Sequence, residues 1–475
     1  MPVPKTMPFG TQIYRNVPSE GLTELSARLI DGIPNVARNV MKRPGIAAWA
    51  DTSNANKSID LIAYWPNNKV AIVVCNGNIY SVTSAGAVTL RATGKLQVGA
   101  RVDYIDVGDT LYLANGGRIV KLTAAYASSY IAITGVADPH VNSLEVVNQK
   151  GIATLTGSQR CYFTPAGSFD TYNGLTDSFT ATVNPDAATK LVRTKTGVMV
   201  FGPKSIEPRY DRGTSSLNFL RDNGGVLSTG CIAPNTVQYI NDIFYYLDQY
   251  RRIVRWTGGG IPEVLSTPFD DVIQGFALVS NAISDVYRIW GLTLYVISFP
   301  TAASTLVYCI ETNEWCEWAY WNGTTAAYEN YLGNYYCYIP EWNKHLVGGK
   351  KNGKVGLMSK STYQDWGDTM RTLYRSGHIN YGSYMLEKQS DSVRLHLKKG
   401  VGSYTAAAKS VVRYRDNNEA WGNEIELDLG FTGEQEFFID INSNGTYCTR
   451  QYEFVHTANS EFILFGGEEL ISGGM

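Results

Sequence analysis

Residues able to do chemistry are present in this 475-residue chain, but their spacing does not bring them together. Five histidines, His140, His345, His378, His396 and His456, stand singly along the sequence. An enzyme needs an acid, a base or a nucleophile in one frame. Neither G-x-S-x-G, H-E-x-x-H, a P-loop nor a strand-following G-x-G-x-x-G occurs. The adjacent carboxylates Asp270/Asp271 and Glu468/Glu469 are the right type for glycoside hydrolysis, which uses two acids about 5 to 10 Å apart. Their turn-like and terminal contexts read instead as solvated acids. "DNNEAWGNEIELD" lacks EF-hand spacing and reads as a hairpin turn. No catalytic residue, metal or cofactor is expected.

Cations gather at "MKRPG", "YRRIVR" and "HLKKG", the second beside Tyr250 and Trp256. Interleaved arginines and aromatics can hold single-stranded nucleic acid, yet Arg251, Arg252 and Arg255 fit equally well as ion-paired strand residues. The 41 Lys plus Arg against 43 Asp plus Glu leave a formal charge of -2, so no general field draws nucleic acid or anionic membrane. Seven cysteines form no C-x-x-C pair, which argues against a zinc site or a disulfide framework and for reduced, packed thiols folded in a cytoplasm. Cys309 and Cys316 could face one another across a hairpin, although buried free thiols are the ordinary outcome. "MPVPKTMPFG" has no apolar signal core, and no run reaches the ~18 apolar residues that span a bilayer. Neither secretion by signal peptide nor a membrane anchor is expected.

The elements that must position these residues are strands. With 31 Tyr, 46 Gly and 18% charged residues, the composition favours an all-β protein. Between residues 58 and 366 one unit recurs: a β-rich run, a Gly/Asn turn and a second alternating run, as in "KVAIVVCNGNIYSVTSAG", "DTLYLANGGRIVKLTA" and "DIFYYLDQYRRIVRWTGG". The turns fall near residues 77, 117, 158, 203, 249, 312 and 352, mostly 40 to 46 apart. Hairpins at that period mark a β-propeller, here of six or seven blades. Trp256, Trp315, Trp318 and Trp321, at hairpin ends, read as core packing ahead of a sugar platform. Residues 367 to 475 change to longer alternating runs and form a C-terminal antiparallel β-sandwich-like domain. Residues 1 to 57, rich in Pro and Asn, read as an extended N-terminal arm packing on the propeller or on a neighbour. In "NVMKRPGI", Pro44 holds Arg43 extended and Gly45 admits positive φ, so the arm ends in a tight turn.

Four stretches, in order, resemble one family. "GIPNVARNVMKRPGI" (32–46), "VFGPKSIEPRYDRG" (200–213), "VRYRDNNEAWGNEIELDLG" (412–430) and "RQYEFVHTANSEFILFGGEEL" (450–470) are similar to the arm, central Gly-turn strands, closing hairpin and last strands of the tail-hub proteins of short-tailed bacteriophages, also called packaged-DNA-stabilisation or head-completion proteins. The Tyr/Trp-rich region 301–345 has no counterpart in that resemblance. The resemblance implies a non-enzymatic virion tail protein of a podovirus, made in the host cytoplasm. It would form a ring, a homohexamer, as the hub or nozzle below the portal and its adaptor. That ring would close the DNA exit channel, retain the packaged genome until ejection, and hold the plug or needle and the tail spikes or fibres. Double-stranded DNA would pass without sequence-specific contact. The interaction candidates it implies are Arg38, Lys42, Arg43, Pro44 and Gly45 of the arm, with Gly202, Pro203 and Glu207 of the central turn. Two other classes are a propeller-based carbohydrate-binding or glycan-cleaving protein and a receptor-binding tail component.

Overall fold

The computed structural model describes residues 2–9, 27–34, 39–181, 184–213, 218–442 and 444–472. Strands dominate, as the composition leads one to expect, and among the described residues the single α-helix is the short Asp270–Gln274. No helix there is long and apolar enough to cross a membrane.

The recurring hairpins build a β-propeller. Five four-stranded antiparallel sheets follow one another, beginning with the strands Ile59–Trp65, Asp103–Asp106, Val141–Val147, Lys190–Arg193 and Gln238–Ile240. Two further four-strand units, beginning with Ile283–Ile289 and Gly333–Ile339, belong to larger sheets. The first strand of each unit lies toward the axis: those of the second and third, third and fourth, fifth and sixth, and sixth and seventh units meet one another, and the last meets the first. The cores lie between units. Leu61, Ile72 and Val74 of one pack with Leu111, Leu113 and Val120 of the next, and Met199 and Phe201 pack with Phe244 and Tyr246. A hairpin sheet buries both faces only between two neighbours, so closure of the ring is what stabilises each unit. The wholly buried Val70–Cys75 strand shows the result.

Ring closure uses the beginning of the chain. Gly45–Asp51 pairs antiparallel with Lys354–Ser359 and supplies the fourth strand of the last unit. The strands before it take a different route. Val3–Thr6 and Val40–Lys42 pair with the C-terminal strand Ile463–Ser472, which also pairs with Lys388–Leu397. Arg28–Ile30 lies between Glu317 of the propeller and Thr372–Arg375 of the C-terminal region. One nine-stranded sheet therefore runs from the propeller unit of Ile283–Ile289 through Arg28–Ile30 into Thr372–Arg375, Arg450–His456, Lys409–Asp416 and Ile425–Asp428.

This corrects the reading of residues 1–57 as an arm lying on other structure. Its described strands are members of the sheets and obtain their backbone hydrogen bonds there. The two C-terminal sheets pack over Val393, Leu395, Phe454 and Leu464, in a core continuous with that of the propeller. Phe9 enters it edge-on to Tyr374, Tyr452 and Phe454.

Candidate functional site

Among the places that gather charged side chains away from bulk water are a clasp around Arg43, where propeller and C-terminal sheets meet, and the mouth of the propeller axis.

The clasp follows from the local sequence. Val40–Lys42 ends in the C-terminal sheet and Gly45–Asp51 begins in the propeller, so Arg43-Pro44 is the crossing point. Arg43 is wholly buried. Its Nε donates to Asp31 Oδ1 at 2.8 Å, Nη1 to Asp365 Oδ1 at 3.0 Å and Nη2 to Asp365 Oδ2 at 2.5 Å. The guanidinium lies over Tyr331 at 4.8 Å and Trp318 at 5.4 Å. Asp31, at φ 55°, also accepts from the Ala319 amide, and Trp318 Nε1 donates to the Gly32 carbonyl. A planar fork matched to two carboxylates and stacked on rings is what arginine supplies and lysine does not.

Lys42 points the other way, donating to the Ala458 carbonyl at 2.7 Å, and burial lowers its ammonium pKa to about 7. Gly45 does not adopt positive φ, contrary to the turn expected at Pro44-Gly45. It is needed because a Cβ there would lie 2.3 Å from the Gln364 carbonyl oxygen. Lys42, Arg43, Pro44 and Gly45 are all buried within this chain, so the expected docking surface is an internal joint. Arg38 lies outside the described residues.

The central turn is likewise internal. Gly202 donates to the Ser205 carbonyl at 2.8 Å and closes the hairpin between Val198–Phe201 and Ile206–Asp211. Glu207 is buried, 2.7 Å from Arg209, whose Nη2 also donates to the Thr180 carbonyl of the preceding unit. Pro203 is half-buried and Lys204 exposed, so little of this turn meets solvent.

Other sequence candidates disperse. Arg252 pairs with Asp248, Arg255 with Glu263, and Arg251 donates to the Gln274 and Phe276 carbonyls. Lys398 pairs with Glu461 and Lys399 with Glu436. All seven cysteines are free. Trp256, Trp315 and Trp318 are buried, whereas Trp321 is half-buried beneath Arg371, 4.4 Å from its ring. Glu469 corrects the reading of Glu468/Glu469 as solvated acids. It is fully buried and accepts from Tyr447 at 2.7 Å and Tyr381 at 2.9 Å, with Arg450 Nη1 at 3.4 Å. Among the described residues no group of three His, Cys, Asp or Glu is placed to hold a metal ion.

The axial mouth was not singled out from the sequence. It is a cavity of about 530 Å³ where the innermost strands begin, lined by short polar residues from around the ring. Arg101, preceding the Asp103–Asp106 strand, reaches past its neighbour to Asp285 at 2.6 Å and the Asn334 carbonyl at 3.2 Å, stacked 4.2 Å from Tyr335. Lys190 pairs with Asp103, again skipping a unit. Asn334 donates to the Ile59 carbonyl, and Asp60 accepts from the Gly99 amide at 3.1 Å and Ser58 Oγ at 2.5 Å. Burial raises the Asp60 carboxyl pKa to about 6. These cross-ring ties leave a space of small-molecule size. It cannot pass a duplex whose major groove alone is about 12 Å wide.

The family profile described as "Bacteriophage P22 Gp10, beta-propeller" matches residues 38–363, including the aromatic 301–345 region. No curated protein matches the chain. Similar solved structures include the extracellular domain of a putative hybrid two-component system from B. thetaiotaomicron, 11% identical with a TM-score of 0.46, covering 80% of this chain and 47% of that one. The extracellular domain of a putative one-component system from the same organism has a TM-score of 0.45 at 11% identity, over 67% of this chain and 40% of that one. Virginiamycin B lyase from Staphylococcus aureus is 11% identical with a TM-score of 0.45, over 66% of this chain and 98% of that one. The chain thus spans less than half of the two extracellular domains, and at this identity none of the three likenesses bears on function. With its hairpin sheets closed into a propeller and a family profile that covers most of the sequence, the chain belongs to the phage head-completion and DNA-stabilisation family of P22 Gp10 and is a phage structural protein.

Proposed function

We propose that this protein is the tail hub of a short-tailed phage: a ring, expected to be a homohexamer, seated below the portal and its adaptor. It would close the DNA exit channel, retain the packaged genome until ejection, and carry the plug or needle and the tail spikes or fibres. The observation that carries this reading is the family match over residues 38–363. Two physical points support it. The propeller's own axis is crossed by the Arg101–Asp285 and Lys190–Asp103 pairs, so a channel for DNA would have to form between copies. A net charge of -2 suits such a channel, since many cationic phosphate contacts would hold the duplex.

The propeller and C-terminal sheets, fused by a shared sheet and core, also offer separate faces for the heterologous contacts of a closed ring. Native mass spectrometry with negative-stain class averages tests the proposal. A closed ring, alone or on adding the adaptor, is expected. A chain that stays monomeric with portal and adaptor present would overturn it, and retention of duplex DNA at physiological salt would overturn the non-binding channel.

A further inference from the structure

Lysines without a carboxylate partner differ in what they face: Lys42 and Lys388 are buried and satisfied by backbone carbonyls, whereas those of the axial cavity face open space. Lys350, half-buried, and Lys351, exposed at the rim, both line this cavity. Lys350 Nζ donates to Asn330 Oδ1 at 3.2 Å, and neither lysine forms an ion pair among the described residues. Burial and the neighbouring Lys351 charge lower the Lys350 ammonium pKa to about 8. Arg101, the third cation of the lining, is already committed to Asp285. Asp60, the one lining carboxylate, accepts from Ser58 Oγ and the Gly99 amide and forms no ion pair with either lysine among the described residues.

The remaining wall mixes apolar groups, Pro234, Ile283 and Pro300, with polar ones. Asn235, Asn281 and Asn334 contribute amides, and Thr189 and Ser58 contribute hydroxyls. No aromatic side chain lines the space, so it offers no platform for a base or an aromatic ring. A cavity of about 530 Å³ lies in the range that encloses a small molecule.

We propose that the axial cavity binds a hydroxyl-rich organic anion of sugar-acid size, with its carboxylate on Lys350 and Lys351 and its hydroxyls on the surrounding amides. The site does not depend on ring formation, since all of its walls come from one chain.

Isothermal titration of the full-length protein with glucuronate, glucose and inorganic phosphate tests this. Glucuronate is expected to bind at least about tenfold more tightly than either glucose or phosphate. The double variant Lys350→Gln/Lys351→Gln is expected to lose about tenfold or more of that affinity while keeping the circular dichroism of the parent. Lys399→Gln, at a distant ion-paired lysine, is expected to bind as the parent does. Glucose bound as well as glucuronate would overturn the role of the lysines. Phosphate bound as well as glucuronate would overturn recognition of the polyol. Unchanged affinity in the double variant, or no glucuronate binding by the parent, would overturn the site.

Discussion

Arg43 is wholly buried and Lys350 half-buried, and the two cations differ in what surrounds them. Arg43 meets two carboxylates, a backbone carbonyl and two aromatic faces, so nearly every direction from the guanidinium is occupied by this chain. Lys350 meets one amide oxygen and a second ammonium on the wall of an open cavity. Saturation identifies a structural charge, because a paired ion in a dry site has no bonding capacity left for a ligand. Incomplete partnering identifies a site, because desolvation has already been imposed on a group that lacks its counter-ion. The two should therefore respond oppositely to removal of charge: one in stability, the other in binding.

The largest effect is expected at the clasp. Arg43→Met leaves Asp31 and Asp365 buried without their partner and should cost about 3–5 kcal/mol of unfolding free energy, read as a lower urea midpoint. The triple variant with Asp31→Asn and Asp365→Asn removes the orphaned charges and should recover part of that loss. A single variant as stable as the parent would mean that the clasp is not what joins the two sheet systems. Gly45→Ala probes the same joint through sterics. Its new Cβ would meet the Gln364 backbone at 2.3 Å, and overpacking of this kind costs about 1–3 kcal/mol.

The clasp also shows how far the sequence could be read. Hairpin periodicity locates the propeller because each unit is local: strands and turns lie within some forty residues, and alternation reports burial directly. The joint is not local. Arg43 meets Asp365 across 322 positions, and Glu317 lies 289 positions from Arg28. Nothing in "MKRPG" tells that its arginine will be buried. The Tyr/Trp excess of 301–345 is in part the socket for that arginine, Trp318 and Tyr331, which resembles surplus aromatic content until the partner is known. Glu469 misleads for the same reason, since Tyr447 and Arg450 reach it from other strands and Tyr381 from a turn. The axial cavity left no motif at all, because its wall is assembled from one or a few residues of each unit, scattered over nearly three hundred positions.

His456 provides a smaller effect with a defined sign. It is buried against Phe462, with Nε2 on the Ser460 carbonyl, and burial together with the Lys42 charge lowers its pKa to about 3. The unfolded chain, with an ordinary imidazole, binds the proton more readily. Stability from His456 is thus present above about pH 6.5 and is lost as pH falls toward 3, about 2 kcal/mol of it by pH 5. Asp60, whose carboxyl is raised to about 6, acts in the opposite direction, favouring the folded state as pH falls below that value. The measurable quantity is the difference between profiles: His456→Phe should flatten the decline between pH 7 and 5, and parallel profiles would show that the imidazole does not titrate as its burial implies.

The smallest stability effect is expected at Lys350. Lys350→Gln retains most of the stem, exchanges an ammonium for a neutral amide donor toward Asn330, and removes the repulsion from Lys351. Loss of one hydrogen bond to an amide and relief of a like-charge contact oppose one another, so the unfolding free energy should stay within about 0.5 kcal/mol of the parent. That near-neutrality separates the two explanations of a half-buried cation. A lysine held by unseen structural partners would behave as Arg43 does and weaken the fold on neutralisation. A lysine awaiting an anion leaves the empty protein unaffected and shows its loss only when the ligand is added.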